Sequence, residues 1–309
     1  MTKLSIVIPV YNKANFLRKT LNSIFSQTYK SFEVILVDDK STDNSLEICH
    51  LYKHKYQNII VIEKNSNTGV SDSRNIGILS SSGTHLLFLD ADDTLISSKL
   101  LTKVMEFLES NINIDYLVLI KKYYGKILKP NKFSSKFVSP FLTHKNFYQI
   151  TNKSTFILKN NFPFGGSACC IISKKLSKDY FFLKGLSEFE DWNFFLRIFL
   201  NSTSCLYKVE AINIHYDIHS LSRSKRKISL SVHPLYVFLN TENHRKLRTR
   251  FFWIRLASQF IYVSNLQEFI SLIKSNFPLF LQNFEISKYS IFCFINILSF
   301  NFFQRLRKT

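Results

Sequence analysis

The sequence predicts an α/β domain with a mostly parallel sheet and flanking helices, followed by a helical C-terminal extension. Three observations carry this prediction. In the first 110 residues, short β-branched runs alternate with segments whose apolar residues recur at helical spacing. Polar clusters follow directly after several of the predicted strands. Beyond residue 222, a basic, aromatic-rich segment with helical periodicity begins.

The elements of the first part are predicted from their periodicity. Residues 4–10 form a β-rich run, and the apolar positions within 14–28 are spaced as on one face of a helix. Ser41 and Ser71 are expected to cap the second and third helices, because serine oxygens accept hydrogen bonds from free helix N–H groups. The further strands are predicted at 32–37, 59–63 and 85–89, and the further helices at 42–55, 72–80 and 97–110. Such alternation is typical of parallel strands joined by crossover helices.

Residues 111–185 are less regular. They contain a glycine pair at 164–167, which either contributes to an acceptor site or forms a turn between strands. A helix is predicted over 194–200, directly after an acidic stretch. The change of composition divides the chain into predicted domains at 1–222 and 223–309.

Composition narrows the class of protein. Forty-one Lys and Arg against 22 Asp and Glu give a net charge of +19, which indicates an anionic partner. A hydrophobic content of 46% excludes global disorder. The five cysteines are an odd number without a CxxC pair, which argues against a disulfide framework and for a reducing cytoplasm. The N-terminal apolar run is too short for a signal peptide, and no spanning helix of ~18 apolar residues is predicted.

Three polar clusters, at 9–12, 38–39 and 90–92, follow predicted parallel strands and should meet at one sheet edge, where ligands of such sheets bind. Asp90 and Asp92 lie on a tight turn, and their carboxylates suit a divalent cation shared with a diphosphate. Alternatively, these aspartates are an acidic turn that caps the next helix. The same alternative holds for Asp38 and Asp39.

A second function is compatible with the segment that begins at Asp90. Residues 90–95, DADDTL, match the DxDxT pattern of haloacid-dehalogenase-type phosphatases, in which the first aspartate accepts a phosphoryl group. That pattern normally follows the first strand of the chain, whereas here it follows the fourth predicted strand.

The segments IVIPVYNKANFLRKTLNSIFSQTY, FEVILVDDKSTDNS and NTGVSDSRNIGILSSSGTHLLFLDADD together resemble the family 2 glycosyltransferases. The similarity is nearly continuous over 4–95 and resumes at 185–200, which contains an acidic ED pair. The rival phosphatases have no counterpart to the first two blocks. The resemblance implies a GT-A fold, a Rossmann-like sheet with flanking helices, over residues 1–222.

The resemblance also implies a donor site. Asp39 would bind the base or ribose, and Arg74 would lie near the diphosphate. Asp92 would ligate Mg²⁺ or Mn²⁺. Further nucleotide contacts would come from the PVYN and DAD segments, with Tyr11 against the base and Asp90 near the ribose and the metal's waters: Pro9, Val10, Tyr11, Asn12, Asp90 and Ala91.

The implied reaction is inverting transfer of a sugar from a nucleotide diphosphate donor, preferably a UDP-sugar. Asp191 would be the catalytic base, with Glu190 beside it and Glu188 as a further acid. The alternative for the pair is ordinary negative charge at a helix N-terminus, which is stabilising by itself. His219 is a possible second metal ligand by resemblance, but the block at 216–223 departs from the family pattern, because Asp217 replaces an arginine and the spacing is short.

The tail from residue 223 onward carries 14 Lys and Arg against three Glu. It has no known nucleic-acid motif, so a nucleic acid is not expected as a partner. It is either a packed helical subdomain or a surface that lies on an anionic membrane, with aromatic side chains in the interface. We expect a cytoplasmic enzyme, peripheral on the inner face of the membrane, that acts on a glycan or lipid-linked acceptor in bacterial surface polysaccharide synthesis. A lectin-like descendant is the non-enzymatic alternative.

Overall fold

The computed structural model describes residues 3–123, 126–127, 138–153, 156, 170–177, 180–184, 190–214 and 249. The chain divides into two units, Met1–Ser220 and Leu221–Thr309. The helices and strands given below lie in the first unit. The glycine pair within 164–167, Glu188, His219 and nearly all of the predicted tail fall outside the described residues, and the predicted domain boundary after residue 222 stays a prediction.

The first 110 residues fold as alternating strands and helices. The strands are β1 Leu4–Val10, β2 Phe32–Asp38, β3 Ile59–Glu63, β4 His85–Phe88 and the short β5 Thr94–Leu95. The helices are α1 Ala14–Phe25, α2 Ser45–Lys55, α3 Val70–Ser80 and α4 Leu100–Ser110. Later in the chain come β6 Tyr116–Tyr123, β7 Lys126–Ile127, β8 Val138–Pro140, β9 Phe147–Ile150, β10 Cys170–Ser173, α5 Lys174–Ser177, α6 Glu190–Leu200 and β11 Ser204–Ile214.

Within the described ranges, nine of these strands form the path β3-β2-β1-β4-β10-β6-β11-β9-β8 of one sheet. Of the two others, β5 pairs with β11 and β7 pairs with β6. The first four strands pair in parallel, as predicted. In the other half, β10 runs antiparallel to β4 and β6, whereas β6 and β11 pair in parallel. The sheet is therefore mixed, and the predicted α/β architecture with flanking helices is confirmed. None of the helices in the described ranges has the length and apolarity needed to cross a bilayer.

Both predicted serine caps were wrong. Helix α3 begins at Val70, so Ser71 lies inside its first turn, and Gly69 precedes the helix with a φ of 93°, which glycine adopts without strain. Helix α2 begins only at Ser45. The Ser41 hydroxyl instead accepts a hydrogen bond from the Asn12 N–H (3.1 Å), so it joins two loops at the sheet edge.

Helix α3 packs directly on β1 through a glycine. A Cβ added to Gly77 would lie 2.2 Å from Cγ1 of Val7, so a larger residue would displace the helix. This close contact sets the height of α3 over the sheet. It also fixes the position of Arg74, which lies one turn earlier on the same helix.

At the amino ends of the parallel strands, Glu33 of β2 holds the segment before β4 in place. Its carboxylate accepts hydrogen bonds from the Lys3 ammonium (2.8 Å), the Ser5 hydroxyl (2.6 Å) and the Ser82 N–H (2.6 Å). The Gly83 N–H also donates to it, at 3.2 Å. Burial acts to raise the pKa of Glu33, but these hydrogen bonds outweigh burial and lower the pKa from 4.5 to about 2.

Substitution of Glu33 by glutamine should destabilise the protein by about 1–3 kcal/mol at pH 7, because charge-assisted hydrogen bonds are lost in a buried site. Because the folded-state pKa is depressed, the contribution of Glu33 is complete above about pH 4.5 and is lost as the pH falls towards 2. Urea unfolding of wild type and Glu33→Gln at pH 7 and near pH 3 measures both effects. A difference between the two proteins that does not shrink in acid would contradict this assignment.

Candidate active site

Three loops meet at the carboxyl edge of the parallel strands. They follow β1, β2 and β4, which are direct neighbours in the sheet. The loop after β1 is tied to the loop after β2 by Asn12, whose Oδ1 accepts a hydrogen bond from the Thr42 N–H (2.8 Å). Asn12 has a φ of 51°, a left-handed conformation that asparagine tolerates better than most residues. Val10 is buried beneath this loop, and Pro9 and Tyr11 are partly exposed.

The Asp39 carboxylate organises the loop that leads into α3. It is buried, and its Oδ1 accepts hydrogen bonds from the Lys64 ammonium (2.5 Å) and the Thr68 N–H (2.9 Å). Its Oδ2 accepts one from the Gly69 N–H (2.9 Å). Asp39 therefore already holds the β3–α3 loop in place, and any contact with a nucleotide would add to these bonds.

A second acidic group, Asp72, extends this network. Its carboxylate lies 3.1 Å from the Lys64 ammonium and 2.5 Å from that of Lys184, and it accepts a short hydrogen bond from the Thr68 hydroxyl. These contacts, that of Lys184 first, hold the pKa of Asp72 well below its usual range. The network connects the first turn of α3 with the segment 180–184.

The Asp90–Asp92 turn is anchored from α1. The Thr20 hydroxyl donates to the Ala91 carbonyl at 2.8 Å, and the Asp93 N–H donates to the Asp90 carbonyl at 3.0 Å. Ala91 and Asp93 are buried, whereas about a third of the Asp90 side chain (34%) is exposed. The backbone of the turn is thus fixed while the Asp90 carboxylate stays open towards the site.

Asp92 is paired with a lysine from the loop after β1. The Lys13 ammonium lies 2.8 Å from Asp92 Oδ2. Burial raises the pKa of Asp92, and the charge of Asp90 adds to this effect, whereas Lys13 opposes it. The turn therefore holds two carboxylates close together, and each of them faces a cationic side chain.

Arg74 joins the DAD turn to the ED pair. Its guanidinium donates to Asp90 Oδ1 and to Glu190 Oε1, each at 3.0 Å, although these residues are 100 positions apart in the sequence. The Arg74 side chain is buried and lies over the Phe182 ring, 5.2 Å from its centroid. Burial acts to lower the pKa of Arg74, but the charges of Asp90, Glu190 and Asp191 outweigh it and raise the pKa.

Helix α6 carries Glu190 and Asp191 in its first turn and is pinned by an aromatic cluster. Phe194 stacks on Phe182 with ring centroids 3.8 Å apart. The Asn75 side chain exchanges two hydrogen bonds with the backbone of Phe182, at 2.8 and 2.9 Å. The ED pair is therefore held against α3 by packing as well as by Arg74.

The structure brings together all the described residues that the sequence placed at the site, at one edge of the sheet. Sequence reasoning missed Lys13, Lys64, Asn75 and Phe182. Lys13 adjoins the PVYN segment and so could have been considered, but no spacing indicates the partners of the other three. The proposed roles of His219, Glu188 and residues 164–167 lie outside the described residues.

The donor set at the DAD turn suits Mg²⁺ or Mn²⁺. Among the described residues there is no group of three or more His, Cys, Asp and Glu that could hold a metal by itself. Two carboxylates on one turn nevertheless fit Mg²⁺, which is commonly held by one or two carboxylates together with substrate phosphates and water.

The family model "Glycosyl transferase family 2" matches residues 5–181, more than half of the chain. The chain belongs to this family. The matched range contains the PVYN, DD and DAD segments as parts of one domain, which contradicts the phosphatase alternative for Asp90.

Curated relatives of this family 2 chain match part of it. A poly(ribitol-phosphate) beta-glucosyltransferase of Bacillus spizizenii is 46% identical over 102 residues, which are 32% of this chain and 16% of the relative. The minor teichoic acid biosynthesis protein GgaB of Bacillus subtilis is 37% identical over 138 residues, 42% of this chain and 15% of that protein. An uncharacterized glycosyltransferase of Rickettsia felis is 31% identical over 192 residues, 58% and 31% of the two chains. The matches thus span less than a third of each relative's length.

Solved structures show the same fold. Residues 1–349 of S. aureus TarS, crystallised with UDP-GlcNAc, superpose with a TM-score of 0.60 and 21% identity over 89% of this chain and 73% of that one. The mannosyltransferase PcManGT from Pyrobaculum calidifontis, in complex with GDP-Man and Mn²⁺, gives a TM-score of 0.50 and 14% identity over 91% and 71%. The predicted GT-A fold is confirmed.

Substitution of Arg74 by lysine should lower the free energy of unfolding by about 1–3 kcal/mol. Lysine keeps the charge, but a single ammonium cannot reproduce the planar fork that reaches two carboxylates. Urea unfolding measures the change, with the exposed Arg18→Lys on α1 as the matched control, for which a change within about 0.5 kcal/mol is expected. Equal stability of the two variants would contradict the bridging role of Arg74.

Proposed function

We propose that the protein is an inverting, metal-dependent glycosyltransferase that moves a sugar from a nucleotide diphosphate donor, preferably a UDP-sugar, to a glycan or lipid-linked acceptor. The observation that carries this proposal is the Arg74 bridge. It places the DAD turn, suited to a metal and a diphosphate, beside the ED pair, suited to proton abstraction. A transferase of this kind needs both functions on one site.

On the donor side, the proposed contacts come from the loops after β1 and β2. Tyr11 and Asn12 are at least partly exposed at this edge and are available to a nucleotide. Asp90 and Asp92 would hold the Mg²⁺ or Mn²⁺ ion, whose chemistry is to offset the negative charge that develops on the leaving diphosphate. The UDP-GlcNAc bound to TarS, a protein with the same fold, supports the choice of donor.

On the acceptor side, an acceptor hydroxyl is a weak nucleophile and needs a base within hydrogen-bond reach. The Glu190 carboxylate already accepts a hydrogen bond from Arg74. We assign positioning to Glu190. We assign proton abstraction to Asp191, which matches the base of the family's acidic motif. A single displacement with one base and no protein nucleophile inverts the anomeric centre.

The acceptor is proposed to be a polymer of the bacterial surface. Two relatives are named for poly(ribitol phosphate) glucosylation and for minor teichoic acid biosynthesis, and both kinds of polymer are polyanions. The net charge of +19 favours such an acceptor by long-range attraction. Two residues that a sugar-binding lectin would not need, the proposed metal ligand Asp92 and the proposed base Asp191, are both present.

We further propose peripheral association with the inner face of the cytoplasmic membrane through the basic tail. Each Lys or Arg near an anionic bilayer contributes roughly 1 kcal/mol at low salt. The full chain should therefore sediment with anionic liposomes at low salt and less with neutral ones. Equal sedimentation with both kinds of vesicle would contradict an electrostatic membrane contact.

The function is tested by incubating the full chain with UDP-, GDP- and other nucleotide sugars and measuring release of the nucleoside diphosphate. We expect release with a UDP-sugar that needs Mg²⁺ or Mn²⁺, is abolished by EDTA and is lost in Asp92→Ala. Full activity in EDTA would overturn the metal assignment. Inorganic phosphate release from phosphomonoesters, with a phosphoaspartate at Asp90, would overturn the transferase assignment.

The variant Asp191→Asn should retain binding of the UDP-sugar but lose turnover by about 10²-fold or more, because the amide cannot take up the acceptor's proton. Calorimetric titration with the donor separates binding from turnover. The matched control is Glu106→Gln, which removes an exposed carboxylate of α4 that is distant in sequence from Asp191. This variant should behave as wild type. Near-normal turnover in Asp191→Asn would assign the base to Glu190 or Glu188.

A further inference from the structure

Lys13 forms an ion pair with Asp92, the carboxylate that the proposed function assigns to a metal ion. The Lys13 ammonium lies 2.8 Å from Asp92 Oδ2, and the side chains are only 18% and 15% exposed. The backbone of Lys13 is fixed, because its N–H donates to the Ser45 hydroxyl at 2.8 Å. The same ammonium lies over the Phe16 ring, 5.6 Å from its centroid. The pair is therefore a partly buried contact built by the β1–α1 loop, unlike a surface ion pair between two exposed side chains.

The electrostatics explain why a lysine is needed at this position. Asp92 is largely buried and has the carboxylate of Asp90 close by, and both effects disfavour its negative charge. Removal of a partner from a buried ion pair leaves an uncompensated charge, which is unfavourable. Lys13 therefore stabilises the DAD turn as long as no divalent cation is bound to that turn.

We propose that Lys13 is a built-in counter-ion, which pairs with Asp92 when the donor site is empty and must release it before a divalent cation binds. This inference rests on the proposed metal-dependent function. A cation at Asp92 would lie next to the displaced ammonium, so a metal ion alone is met by repulsion. A diphosphate supplies negative charge for both cations at once.

Lys13 thus couples the two ligands. The metal ion and the nucleotide each bind weakly alone and tightly together, because only the ternary complex balances the ammonium, the metal and the two carboxylates. By linkage, the factor by which UDP improves metal binding equals the factor by which the metal improves UDP binding. A neutral side chain at position 13 should reduce that factor.

The experiment measures Mn²⁺ binding to the full chain by electron paramagnetic resonance of free Mn²⁺, with and without UDP, at constant pH and ionic strength. The variants are Lys13→Gln, which removes the charge, and Lys13→Arg, which keeps it. Lys19→Gln is the matched control, because Lys19 is exposed on α1 close by in the sequence. Asp92→Asn serves as the variant that lacks the proposed ligand. Thermal unfolding verifies that each variant is folded.

In Lys13→Gln, Mn²⁺ without UDP should bind about tenfold more tightly than in wild type, the scale of one partly buried charge contact. The gain in Mn²⁺ affinity on adding UDP should shrink by a similar factor, since the neutral side chain also attracts the diphosphate less. Lys13→Arg and Lys19→Gln should retain the wild-type coupling.

The outcomes separate this inference from the proposed function. UDP-dependent Mn²⁺ binding that is lost in Asp92→Asn, but whose coupling is unchanged in Lys13→Gln, would overturn the counter-ion role and leave the proposed function intact. Weaker binding of Mn²⁺ alone in Lys13→Gln would also overturn it. Absence of any UDP-dependent Mn²⁺ binding in wild type would overturn the metal dependence of the proposed function.

Discussion

The guanidinium of Arg74 lies between two carboxylates, Asp90 and Glu190, and the geometry of the whole site depends on this contact. A buried arginine is tolerated only when hydrogen-bonded anions surround it, and loss of one partner from such a group costs about 3–5 kcal/mol. The same charge keeps two acidic segments from repelling each other at close range. Arg74 thus makes it possible for the DAD turn and the ED pair to share one site.

The position of Arg74 is itself set by packing. Gly77 allows α3 to lie directly on Val7 of β1, and Phe182 covers the guanidinium from the other side. Asn75 holds the backbone of Phe182, on which Phe194 of α6 stacks. Apolar contacts therefore support Arg74 and the helix that carries the ED pair. This arrangement suits catalysis, because groups that are already oriented need little reorganisation when substrate binds.

Most of the polar groups at this edge are engaged with one another in the structure. Asp39 holds Lys64 and the start of α3, Asp92 holds Lys13, and Asp90 holds Arg74. Each of these acidic groups faces a basic one, so their side chains are already held in place before a ligand binds. Under the proposed function, a nucleotide diphosphate and a cation would have to exchange with these contacts.

The sequence by itself determined the parallel half of the fold and the set of residues that lies at its carboxyl edge. The local period of apolar residues identifies β1 to β4 and their helices, and parallel strands necessarily bring their carboxyl ends to one edge. Periodicity did not identify where α2 and α3 begin. Ser41 is hydrogen-bonded to Asn12 of another loop, and Ser71 lies inside the first turn of α3, which follows Gly69. Periodicity also did not identify β6, β10 and β11, whose pairings with one another join residues that are more than 50 positions apart in the chain. Only the tertiary structure decided that Arg74 meets Glu190 across 116 positions and that Lys13 meets Asp92, since such ion pairs are selected by geometry and burial and leave no pattern in the local sequence.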